Sequence, residues 1–133
     1  SALARAMRAR ALARLVALDV SFNGVQARGF GALARALGNR CCPELEELNV
    51  SNNFVGDTGV NELCHAIVAR GLRRLRFLDV STNNARASIF HLANILSHGP
   101  CPRLRVLVIH GATPVDDKSE RHFRRVPGLK TVR

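Results

Sequence analysis

Leu45-Glu-Glu-Leu48-Asn-Val50-Ser-Asn-Asn53-Phe-Val55-Gly-Asp-Thr-Gly59-Val60-Asn-Glu-Leu63-Cys64 holds a strand, a turn and the start of a helix in 20 residues. Leu45, Leu48 and Val50 are spaced to point into a core from a short strand, and the residues between them point to the opposite face. Asn53 turns the chain off the strand. Val60, Leu63, Ala66 and Ile67 then recur at helical spacing and mark one buried helix face. The strand phrase has copies on both sides. Leu15-Val-Ala-Leu18-Asp-Val20-Ser-Phe-Asn23 lies 30 residues before it, and Leu75-Arg-Phe-Leu78-Asp-Val80-Ser-Thr-Asn83 lies 30 after. A fourth copy, Leu104-Arg-Val-Leu107-Val-Ile109, follows at 29, with Ala112 in the Asn position. A fixed period of this kind predicts a repeat solenoid, each unit stacking its strand beside the last. The Asn amides then form a ladder that pairs buried backbone groups of neighbouring units.

The same register runs outward through the chain. Phe30, Leu33, Ala36 and Leu37 are the inward face of the first helix; Ile89, Leu92, Ile95 and Leu96 serve the third if one residue is deleted after Ala85. Gly29 and Gly59 precede the first two helices as turn residues, Ser88 replaces them in the third unit, and Asp57 is a helix cap. Full repeats are expected over 15–44, 45–74 and 75–103 of a single domain spanning 1–133. Leu3, Ala6 and Met7 place residues 1–14 in the helix half of an earlier repeat, so upstream sequence or another chain is expected at that end. Residues 104–133 read as a degenerate last repeat or cap. Asp116-Asp117 opens a short basic helix, Pro127-Gly128 stops it, and Leu129 and Val132 take the first two apolar positions of a further strand.

Composition narrows the function classes. No apolar run reaches the ~18 residues of a membrane span, so no membrane insertion is expected. The net charge is +10, and all basic residues except Lys118 and Lys130 are arginine. Arginine in such excess suits phosphate or carboxylate contact, although a GC-rich codon bias also exchanges Lys for Arg. Cys41, Cys42, Cys64 and Cys101 lack metal or redox spacing. Three of them fall in apolar or small-residue columns, as core thiols do, and reduced thiols point to an intracellular location, cytosolic or organellar.

The phrase Leu45 to Cys64 closely resembles the ribonuclease-inhibitor-like class of leucine-rich repeats, and the resemblance extends from about Leu3 to Ile109. It implies an α/β right-handed arc of about four repeats, with parallel strands on the concave face and helices on the convex face. It also implies a non-catalytic protein-binding module or scaffold, part of a larger protein or assembly.

On that geometry the outward strand positions form the binding face. They are Glu46, Glu47, Asn49, Arg76, Phe77, Asp79, Arg105, Val106, Val108 and His110. Asp19, Glu46, Glu47 and Asp79 make its centre acidic. Phe77, Val106 and Val108 make an apolar patch that either anchors a protein partner or is covered by the C-terminal segment. A second reading uses the helix side: Arg10, Arg40 and Arg70 recur every 30 residues, with Arg73 and Arg74 beside them. Such a ridge would hold RNA phosphates in a ribonucleoprotein such as an organellar ribosome. The chain has no Trp or Tyr for base stacking. Neither His spacing, a nucleophile elbow nor a glycine-rich phosphate loop points to an enzyme, a small-molecule substrate, a metal or another cofactor.

Overall fold

The computed structural model describes residues 5, 11–111 and 115–133. The expectations for Leu3, Ala6, Met7, Arg10, Ala112 and Pro114 lie outside them. Among the described residues the chain alternates strand and helix: β1 (Ala17–Asp19), α1 (Ala27–Gly38), β2 (Glu47–Asn49), α2 (Gly56–Val68), β3 (Phe77–Asp79), α3 (Ala87–Leu96), β4 (Val106–Val108), α4 (Asp117–Arg124) and β5 (Lys130–Val132). The strands form one parallel sheet in chain order. Ala17 pairs with Glu47, Glu47 with Phe77 and Phe77 with Val106. The sequence period is thus the strand register itself. Each helix packs on the next, α1 on α2, α2 on α3 and α3 on α4. The fold is an α/β leucine-rich-repeat solenoid.

The core lies between the strand layer and the helix layer. Leu48, Leu78 and Leu107 fill it from the sheet, each wholly buried, and Phe30, Leu37, Leu63, Ile67 and Leu92 meet them from the helices. Leu15, Leu18 and Val20 of the first repeat are only partly buried and pack against the edge of this core. The cysteines belong to it. All four are free and buried, including Cys41. Burial pushes the Cys64 and Cys101 thiols up to about 12, so they stay protonated and unreactive at neutral pH.

The Asn ladder is built as the sequence requires. Asn53 Nδ2 donates to the carbonyls of Val20, Val50 and Ser51 at 3.1, 3.0 and 3.2 Å. Its Oδ1 accepts from the amides of Asn23 and Val25 at 3.0 and 3.1 Å. Asn83 repeats the pattern one unit on, donating to Val50, Val80 and Ser81 and accepting from the Asn53 amide. Each amide satisfies groups in two units at once, which is why it is buried although polar.

Three local expectations need correction. Gly29 and Gly59 lie inside the first turns of α1 and α2, not before them. Gly59 is required by packing, because a Cβ there would collide with Val55. Asp57 does not cap its own helix; its Oδ1 accepts from the Arg86 and Ser88 amides at 2.8 and 3.0 Å and from the Ser88 hydroxyl at 2.6 Å. It therefore caps the start of α3 in the next unit. Burial pushes its carboxyl up, but these hydrogen bonds outweigh that and hold it below the usual value. The last strand is offset by one residue. Lys130 pairs with Val106, Thr131 with Leu107 and Val132 with Val108. Leu129 takes the first apolar position and packs against the core as expected, but Val132 falls one place past the second, which Thr131 holds. Gly128, at φ +70, shortens the entry to β5 and lets its backbone lie against the Arg105 side chain.

Candidate protein-binding face

The strand face carries the side chains that alternate away from the core. At the entry to the strands it reads Val16 and Ala17, then Glu46 and Glu47, Arg76 and Phe77, Arg105 and Val106, and finally Lys130. An open cleft of about 410 Å³ lies along this row, lined by Val16, Glu46, Glu47, Arg76, Phe77, Arg105 and Val106. Phe77 and Val106 form its floor and are half-buried. The described residues of the C-terminal segment do not fold over them: β5 joins the sheet edge beside β4, and α4 packs on α3. Val108 is different. It is only 9% exposed and contributes little to a docking surface.

The charged side chains differ in how far they are already engaged. Glu46 stands 3.7 Å from Arg76 in an exposed pair, which stabilises the fold by no more than about 1 kcal/mol. Arg105 Nη1 donates to the carbonyls of Pro102, Leu104 and Pro127 at 3.2, 3.0 and 3.4 Å. It ties the β4 entry to the last loop. Glu47 and Lys130 are exposed and have no ion-pair partner among the described residues.

At the strand exits the polar groups have a structural task that the sequence reading assigned to a partner. Asp19 Oδ1 accepts from the Ser21 amide and hydroxyl at 2.9 and 2.6 Å. Asn49 Oδ1 does the same with Ser51 at 3.0 and 2.7 Å, and Asp79 Oδ1 accepts from the Ser81 amide at 2.9 Å. These are side-chain turns that bend each strand into its loop. The Ser21 hydroxyl, then its amide, hold the Asp19 carboxyl below its ordinary value. In the fourth unit Val108 has no such oxygen, and the exposed His110 donates its amide to Ser81 Oγ at 2.9 Å instead.

The helix-to-strand rim carries Arg40, Arg70, Arg73 and Arg74, all exposed. Arg40 and Arg70 hold the left-handed conformation after their helices, at φ 62 and 63, where the third unit has Gly99 at φ 83. The opposite rim shows what the sequence reading missed. Phe22 and Phe54 are 75% and 62% exposed, and Phe22 is left-handed at φ 56. Comparing columns would have found both, because Asn52 and Thr82 stand in the place of Phe22, and Gly24 and Asn84 in that of Phe54.

No match to this chain was found among curated proteins, and among the described residues no helix is long and apolar enough to cross a membrane. A protein-family model described as a leucine rich repeat matches residues 41–64, the segment that runs through β2 and into α2. Repeats of this family are in general binding modules, which suggests protein partners. With its period, its parallel register and its Asn ladder, the chain is a leucine-rich repeat protein.

Proposed function

We propose that this chain binds a partner protein across its strand face and acts as a non-catalytic interaction module within a larger assembly. The observation that carries the reading is the pair Phe77 and Val106, two apolar side chains left partly exposed along the open cleft between charged neighbours. Apolar surface rimmed by charge is typical of the centre of a protein interface. Arg76 orients the partner; Arg105 shapes the cleft through its hold on the last loop. The full helices of 12 and 13 residues in α1 and α2 support assignment to the ribonuclease-inhibitor-like class. The buried free thiols support an intracellular setting.

Phe77→Asp is expected to weaken partner capture at least tenfold while leaving circular dichroism and the unfolding midpoint nearly unchanged. The measurement is affinity capture from native lysate, with and without nuclease, followed by mass spectrometry. Equal capture by the folded variant would contradict the reading.

One observation favours RNA as a second reading. Arg40 and Arg70 keep a left-handed backbone that costs a non-glycine residue about 1 kcal/mol, which Gly99 avoids in the third unit. If the rim holds phosphate, reversing the charge of Arg40, Arg70, Arg73 and Arg74 abolishes RNA binding, and affinity falls steeply with salt. A flat salt response would argue against it. Arg10 belongs to this reading by sequence alone.

A further inference from the structure

The offset register of β5 adds a residue to the binding face that the sequence reading left out. Lys130 pairs with Val106, so it ends the same row that begins at Glu47 and passes through Phe77 and Val106. Parallel strands are about 4.8 Å apart, which sets Glu47 on β2 and Lys130 on β5 about 14 Å apart along the row. Both charges are exposed and without an ion-pair partner among the described residues. Beside this row, one position earlier on each strand, Arg76 forms an exposed pair with Glu46, and the Arg105 guanidinium is turned to backbone carbonyls. The paired positions Glu47, Phe77, Val106 and Lys130 thus run from negative through apolar to positive.

We infer that the partner segment is extended, crosses the strands, and carries a basic, an apolar and an acidic side chain at alternate positions, in the pattern basic-x-apolar-x-acidic. This rests on the strand-face reading above and gives it a direction. In an extended chain, residues i, i+2 and i+4 face one side, and four steps of about 3.3 Å span about 13 Å, close to the separation of the two charges. The basic residue faces Glu47, the apolar residue enters between Phe77 and Val106, and the acidic residue faces Lys130. The open cleft is lined from Val16 to Val106, and Lys130 lies just beyond it on the neighbouring strand. Charge order of this kind sets register and direction more than affinity.

The test is selection from a displayed library of random linear peptides on the whole chain, followed by binding of the enriched peptides in solution. The enriched set is expected to share the basic-x-apolar-x-acidic pattern and to lose binding to Phe77→Asp. Glu47→Lys is expected to weaken those peptides about tenfold, and replacing their basic residue with Glu to restore most of the loss; Lys130→Glu acts likewise at the acidic end. Peptides that need Phe77 but show no charge order, or bind with charges spaced for a helix, would overturn this inference and leave the strand-face reading standing. Peptides indifferent to Phe77→Asp, or no enrichment at all, would overturn both.

Discussion

Asn53→Ala is expected to destabilise the chain by about 3 kcal/mol, although it removes only a small polar side chain. Asn53 is 3% exposed, and its amide serves the backbone of two units. Truncation leaves the Val20 carbonyl without its donor and the Asn23 and Val25 amides without their acceptor. The Val50 carbonyl keeps a partner, because Asn83 Nδ2 also donates to it at 2.9 Å. A buried polar group left unpaired costs about 1–3 kcal/mol; the Asn23 side of the site is open to water and lowers the sum. Asn53→Asp is the informative companion. It keeps the acceptor but loses the donors and adds a buried charge, so it should be at least as damaging. The measurement is urea unfolding of both variants. A loss below about 0.5 kcal/mol, the range of an ordinary surface change, would mean that the ladder does not hold the units together.

Gly71→Ala is expected to cost about 3 kcal/mol or more, a large effect for one added methyl group. Gly71 is buried where the chain leaves α2 and passes under the end of α1. A Cβ there would fall on the Leu37 carbonyl oxygen, 2.8 Å from the Leu37 carbonyl carbon and 2.9 Å from Gly38 Cα. The obstacle is backbone, which cannot rotate away as a side chain would. Relief requires the two helices to separate, and overpacking of this kind costs about 1–3 kcal/mol, occasionally more. Gly24→Ala is the control for a different mechanism: nothing lies within 4 Å of its Cβ, and only its φ of +62 opposes the change. Urea unfolding should therefore rank Gly71→Ala well below Gly24→Ala in stability. Equal stabilities would contradict the close approach of the repeats at Gly71.

The architecture was legible because its causes are periodic. A recurrence every 30 residues is both a sequence pattern and a strand register, and the buried Asn column follows from the backbone groups each turn leaves unpaired. The site was less legible because polar residues at a strand exit have two uses. Asn49 and Asp79 face outward by alternation, yet each spends an oxygen on the serine two residues on. That pairing was present in the recurring Asp/Asn-Val-Ser triplet. The offset of Lys130 was not, since Leu129 and Val132 keep apolar spacing, yet Leu129 holds its position while the strand after it is one residue short. Asp57 was assigned the right task on the wrong helix, because its hydrogen-bond partners Arg86 and Ser88 lie about 30 residues away.

The central claim is that a protein partner occupies the strand face. It is tested most directly by placing a photo-crosslinking amino acid at position 77 and, separately, at position 40, and irradiating the whole chain in native lysate. The account predicts discrete protein adducts from position 77 that persist after nuclease treatment, and few from position 40. Adducts confined to position 40, or adducts at either position that vanish with nuclease, would contradict it.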